Sequence, residues 1–204
     1  MLRSLRSPPR WPRFNAIPTD NERSETAHVS IHTAAIPVYS PKRVDRQHAI
    51  EFVITDPVSP EARSAMSSYF AELNDRFPTG FDAADALTAD PVAFQAPHGA
   101  FVIVRDGAIS VGCGGIQRIN VTTGEIKRMW IHADSRGIGL GRRLLDHLEY
   151  VAGQLGYTRV VLDTNATLKV AIAMYERAGY HAIERYNDNP YAQRWFAKVL
   201  SVRS

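Results

Sequence analysis

The spacing of apolar and polar positions changes several times along this 204-residue chain, and each change marks an element. Ile50, Phe52 and Ile54 alternate with Glu51, Val53 and Thr55, the two-residue period of a half-buried strand. A helix start follows: Ser59 as N-cap, Pro60 at the first helical position and Glu61 in the first turn. Ala62, Met66, Tyr69, Phe70 and Leu73 then recur at helical spacing, which predicts one core-facing stripe. "FDAADALTAD", 81 to 90, reads as a second short helix ended by Pro91. Two β-rich runs flank Asp106-Gly107, a pair suited to a type I′ hairpin turn, and "GEIKRMWIHA" reads as the next strand of the meander. Gly112, Gly114 and Gly115 predict a bulge or a close backbone approach.

Beyond the glycine-rich stretch "SRGIGLGRRLL", Leu144, Leu145, Leu148, Val151, Ala152 and Leu155 mark a helix stopped by Gly156. "YTRVVLDT" reads as a buried strand and "TLKVAIAMYERAGY" as a helix closed by Gly179. "HAIERY" and "RWFAKVL" read as two last strands around the polar loop "NDNPYA". The order predicts an α/β (α+β) mixed sheet with helices against it, and no internal repeat is evident.

Composition narrows the class. Apolar residues make up 45% and charged residues 22%, the balance of a globular domain. The net charge is +3, yet Arg3, Arg6, Arg10 and Arg13 exceed that whole surplus, so the rest is near neutral and nothing demands nucleic acid. Residues 1–47, with prolines at 8, 9, 12, 18, 37 and 41 and no sustained hydrophobic period, read as a disordered basic leader to a domain spanning 48–204. Its Arg-rich start resembles a transit peptide in composition, but an unstructured extension or a start placed too far upstream is the preferred reading. A single cysteine, Cys113, rules out an internal disulfide and a cysteine-built zinc site, and suits a reducing, cytoplasmic setting. We expect Cys113 to be a buried small residue. The longest apolar runs fall far short of the roughly 20 residues of a membrane span, so no membrane is expected. The histidines show no metal spacing, and no metal is expected.

The glycine stretch carries the first chemistry. A phosphate-binding loop of the nucleoside triphosphatase type needs Lys-Ser/Thr after its last glycine, and Arg142-Arg143 stand there instead. A dinucleotide fingerprint needs a glycine where Arg142 stands. What survives is a strand, a glycine loop and a helix N-terminus with free N–H groups and a positive dipole end, a site suited to a diphosphate. Arg136 and Arg142 add charge. The plain alternative is a loop whose glycines only permit tight packing.

With Arg136, Gly139 and Gly141 in this order, and with "GEIKRMWI", "AIAMYERAGY" and "NDNPYAQRWFAKVL" around it, the chain resembles the GNAT superfamily of N-acetyltransferases over residues 49 to 204. The resemblance implies the acyl-CoA N-acyltransferase fold, with a parallel strand pair splayed at the cofactor site. It implies that Arg136, Gly137, Ile138, Gly139, Leu140, Gly141 and Arg142 hold the diphosphate of acetyl-CoA. It further implies that Met129, Trp130 and Ile131 offer backbone groups to the pantetheine arm. Many relatives place a cofactor-contacting asparagine where this chain has Leu168; either Asn165 substitutes from the strand end or the contact is missing.

Acetyl transfer to an amine needs a proton acceptor for the amine and a proton for the departing thiolate. Glu125, on the strand before the loop, resembles in spacing the general base of the family's histone acetyltransferases. A glutamate merely paired with Lys127 or Arg128 is the alternative. Strand alternation puts Glu125, Lys127, Met129 and Ile131 on one face, with Arg128, Trp130 and His132 opposite. Tyr175 stands where many members carry a tyrosine near the CoA sulfur and is the expected acid; a core aromatic is its alternative. Asp188 either attracts a cationic amine or sits in a solvated turn. Trp130 and Trp195 read as core or pocket wall.

The resulting expectation is an acetyl-CoA-dependent N-acetyltransferase acting by direct transfer to a primary amine. Its partner is a small-molecule or peptide amine acceptor, with a homodimer left open. Two alternatives stand beside it: a non-catalytic acyl-CoA-binding regulatory module, and a nucleic-acid-associated protein using its basic leader.

Overall fold

The computed structural model describes residues 49–77 and 91–201. The leader and the helix expected at 81–90 lie outside the described residues. Among the described residues seven strands form one sheet in the order β1-β2-β3-β4-β5-β7-β6. They are β1 (Ile50–Thr55), β2 (Ala100–Asp106), β3 (Ile109–Arg118), β4 (Thr123–Ile131), β5 (Arg159–Thr164), β6 (His181–Ala182) and β7 (Arg194–Val199). Every pairing is antiparallel except β4 with β5. The helices are α1 (Pro60–Arg76), α2 (Leu140–Gln154) and α3 (Lys169–Arg177). The expected mixed α/β sheet is borne out.

Alternation along the inner strands feeds two cores. Val102 and Val104 of β2 join Ile116, Leu144, Leu148 and Leu162 beneath α2. Phe101 and Ile103 join Cys113, Trp130, Met66 and Phe70 beneath α1. Helix α1 starts as expected, with the Ala62 N–H donating to Ser59 Oγ at 3.2 Å. All three glycines in β3 make room for neighbours: a Cβ on Gly112 would stand 2.6 Å from Ile131 Cδ1, one on Gly114 2.7 Å from Leu148 Cδ1, and one on Gly115 2.5 Å from the Phe94 ring. Cys113 is fully buried, as expected.

Four expectations need correction. Ile54 is exposed, because β1 is an edge strand and α2 covers only Ile50 and Phe52. The hairpin turn lies one residue further on than expected: Asp106 faces Ile109, leaving Gly107-Ala108 as the central pair. Gly107 has φ of +61° and Ala108 is not among the positive-φ residues, which is the type II′ pattern rather than I′. "HAIERY" forms a strand only at His181–Ala182: Ile183 still donates to Trp195 O on β7, and beyond it Tyr186 and Asn187 turn to bond Glu125. Finally, alternation along β4 breaks. Lys127 faces Gly115 and Trp130 faces Cys113, so three steps on β4 match two on β3, with Arg128 at φ +56°. This bulge puts Glu125 and Lys127 on the opposite face from Met129 and Ile131, which pack with Ile126 against the α2 core.

Candidate functional site

The parallel pair is short. Thr123, Gly124 and Glu125 of β4 pair with Arg159, Val160 and Val161, and then the strands part, although β4 runs on to Ile131 and β5 to Thr164. The split leaves one edge of β4 open. His132 donates its N–H to Val111 O on β3, so by alternation Trp130 also faces β3, while Met129 and Ile131 present their backbone groups to the opening. The Ile131 carbonyl is already used, accepting from Arg136 Nε at 2.9 Å. Trp130 is not brought to the opening: its ring is buried under α1 and its Nε1 donates to Glu72 at 2.7 Å.

The glycine loop stands beside this opening. Gly139 is the N-cap of α2 at φ +80°, without a side-chain cap. The helix ladder begins only with Arg143 N–H donating to Gly139 O at 3.1 Å, so the N–H groups of Gly141 and Arg142 have no partner one turn earlier. A Cβ on Gly137 or Gly139 would meet nothing within 4 Å, which leaves open space before the helix N-terminus. Leu140 anchors the helix at 1% exposure and can offer only backbone, while Ile138 is exposed at the loop tip. Arg136 is not a free cation: its Nη2 donates to both carboxylate oxygens of Glu72 at 2.5 Å. Arg142 donates to Asp146 at 2.8 Å on the helix surface.

A cavity of about 350 Å³ occupies the opening, between Tyr69 and Phe77 of the α1 side and Ala171 and Tyr175 of α3, with Lys127 and Asp163 among its lining groups. Tyr175 is 7% exposed, and its hydroxyl makes no hydrogen bond among the described residues. Burial and the charge of Asp163 push its pKa up to about 12. Asp163 accepts from Lys127 at 3.2 Å, Asn187 at 2.5 Å and Asn189 at 3.0 Å. Burial alone would lower the Lys127 pKa, but the carboxylates of Glu125 and Asp163 outweigh it and hold the ammonium charged.

Glu125 lies one layer behind. It is 2% exposed and accepts from Gln117 at 2.6 Å, Lys127 at 2.9 Å, Tyr186 at 2.8 Å and Asn187 at 3.2 Å, and it is not part of the cavity wall. The pairing with Lys127 weighed from the sequence is therefore present, whereas the pairing with Arg128 is not: the bulge turns Arg128 toward Met66 and over the Phe94 ring, 4.6 Å from its centroid. Asn165 does line the cavity, yet its side chain ties loops together, donating to Tyr191 O and accepting from Thr167. Asp188 is fully exposed and paired with Arg185, the solvated turn. Trp195 bonds Asn187 at 3.0 Å. Sequence reading missed Asp163, Asn187 and Glu72 because the contacts that bring them to the cleft and loop span 24 to 64 residues. Among the described residues no group of His, Cys, Asp and Glu could hold a metal, and no helix is long and apolar enough to cross a membrane.

Among the described residues one parallel strand pair splays beside a glycine-capped helix N-terminus, an arrangement suited to a phosphate-bearing ligand. The model of the acetyltransferase (GNAT) family matches residues 63–180, and the chain belongs to that family. An uncharacterized N-acetyltransferase of Schizosaccharomyces pombe is 32% identical over 113 residues, covering 54% of this chain and 69% of that one. An acetyltransferase from Streptococcus agalactiae shares the fold with a TM-score of 0.63 at 23% identity, over 74% of this chain and 98% of that one. A GNAT family acetyltransferase from Elizabethkingia anophelis, crystallised with acetyl-CoA bound, matches with a TM-score of 0.52 at 16% identity, over 74% and 98%. The class is thus that of the N-acetyltransferases.

Proposed function

We propose that the chain transfers an acetyl group from acetyl-CoA directly to a primary amine within a ternary complex. The observation that carries this reading is the cleft itself: an open β4 edge at Met129 and Ile131, meeting a wall that contains the unpartnered phenol of Tyr175. The residues fit the co-substrate. The empty space before Gly137 and Gly139 admits a diphosphate onto the α2 N-terminus, and the open edge of β4 offers the hydrogen bonds an extended amide-bearing arm needs. Acetyl-CoA, when bound, supplies the thioester carbon that the amine attacks.

The chain's own groups handle charge and protons. At the cleft the carboxylates of Glu125 and Asp163 stand against the cations of Lys127 and Arg128, so the charges balance, and Asp163 is the carboxylate in the wall itself that can meet an ammonium. Asp163, at the wall, takes the amine proton through water, while Tyr175 donates its proton to the departing sulfur. The role expected of Glu125 passes to Asp163 here, because four donors enclose Glu125 away from the cleft. Glu125 serves by positioning Lys127 and Tyr186.

A thiol-release assay with acetyl-CoA across a broad amine library tests the proposal. Turnover with at least one primary amine is the expected result. Tight acetyl-CoA binding with no turnover on any amine would favour the non-catalytic module instead.

A further inference from the structure

Tyr69 reads in the sequence as one member of the apolar stripe of α1, but the structure gives it a different setting. It is half-buried, lies in the wall of the same cavity as Tyr175, and its ring packs on Phe70 at 5.2 Å between centroids. Its hydroxyl makes no hydrogen bond among the described residues. Tyrosines that serve the fold do otherwise: Tyr157 donates to His98 O at 2.7 Å and Tyr186 to Glu125 at 2.8 Å. Tyr180 also lacks a partner, but its oxygen is fully enclosed, whereas the hydroxyls of Tyr69 and Tyr175 are not among the enclosed atoms and so open onto the cleft. Burial and the nearby Tyr175, Cys113 and Asp163 keep the Tyr69 phenol protonated. Two phenols, from α1 and α3, thus stand in one wall with their polar atoms unused.

Resting on the transferase reading above, we infer that Tyr69 is a catalytic residue of the acceptor half-site, whose hydroxyl oxygen accepts a hydrogen bond from the amine N–H. That contact leaves the nitrogen lone pair free and aims it at the acetyl carbon. As the C–N bond forms and the C–S bond breaks, the sulfur takes the Tyr175 proton and the amine proton leaves through water to Asp163. Tyr69 itself changes no bond.

The test compares wild type with Tyr69→Phe on n-butylamine, tyramine, spermidine and a lysine-containing hexapeptide, using whichever the wild type acetylates best. The expected result is a fall of about tenfold in kcat/KM for the amine, the equivalent of about 1.4 kcal/mol. The KM for acetyl-CoA and the melting temperature should not change adversely, because the lost hydroxyl bonds nothing in the fold. An unchanged amine kcat/KM, an effect confined to acetyl-CoA, or a lowered melting temperature would each overturn the assignment. If the wild type binds acetyl-CoA yet acetylates neither these four nor any amine of the broad library, in which case no acceptor remains to compare, the transferase reading falls and takes this inference with it. If the wild type turns over and Tyr69→Phe matches it, the inference alone fails.

Discussion

Arg136 and Glu72 lie 64 residues apart and form a forked contact, with Nη2 of the arginine 2.5 Å from each carboxylate oxygen. Glu72 also accepts from Trp130 and pairs with Arg76, while Arg136 reaches back to the Ile131 carbonyl. One carboxylate therefore ties α1, the end of β4 and the glycine loop together. The acceptor-side helix and the proposed diphosphate loop form a single hydrogen-bonded unit before any ligand arrives.

Glu72→Gln should loosen that unit. Both side chains are partly solvated, at 36% and 23% exposure, so solvent screening limits the loss to about 1 kcal/mol. Burial alone would raise the Glu72 carboxyl, but hydrogen bonds from Arg136 and Trp130 and the neighbouring charges outweigh it and hold its pKa below the ordinary 4.5. A depressed folded-state pKa stabilises above the ordinary value and loses its effect as pH falls through the folded value. Urea unfolding of both proteins at neutral and acid pH checks this: the gap between them should shrink on acidification.

Gly139→Ala should separate backbone strain from ligand contact. At φ +80° an alanine costs roughly 1–2 kcal/mol, and its methyl would project into the empty space before α2. Acetyl-CoA affinity, measured by calorimetry, should fall beyond what the change in melting temperature accounts for. Gly153→Ala is the control, since Gly153 lies inside α2 with nothing within 4 Å of a new Cβ. It should stabilise by roughly 0.5–1 kcal/mol and leave affinity alone.

Local signals carried most of the fold. Ser59-Pro60-Glu61 set the start of α1, the 3.6-residue period set α2, and the glycine loop was recognisable because glycine spacing before an aliphatic run is a short-range pattern. The β4 bulge was not readable, because an arginine at φ +56° follows no residue preference and arises only from the match between β3 and β4. The cleft chemistry divided the same way. Tyr175 stood out by its place in a motif, whereas Asp163 became visible only when Lys127, Asn187 and Asn189 converged on it across three segments.

Glu125→Gln distinguishes a base from a positioning group. It leaves Lys127 facing Asp163 alone in a buried setting, and losing one partner of a buried pair costs about 3 kcal/mol. At about 2–4 °C per kcal/mol for a chain of this size, the melting temperature should fall clearly. Activity should fall in proportion to the disturbed cleft, with the acid limb of the pH–rate profile still present. Disappearance of that limb would return the base role to Glu125.

Tyr175→Phe removes the proposed acid and nothing the fold uses, since the hydroxyl has no partner among the described residues. Turnover should fall by about 10²-fold or more, in line with the loss of a positioned general acid, while acetyl-CoA affinity stays nearly intact. Burial, aided by Asp163, lifts the phenol from 10.0 to about 12. A raised folded-state pKa favours the fold at every pH below the ordinary value and loses that effect only as pH rises through about 12. The acid thus remains protonated across the neutral range, and kcat of the wild type should show no descending limb from this group short of strongly alkaline pH. Full turnover in Tyr175→Phe, measured by thiol release at saturating acetyl-CoA, would remove the acid from Tyr175 and leave protonation of the sulfur to solvent.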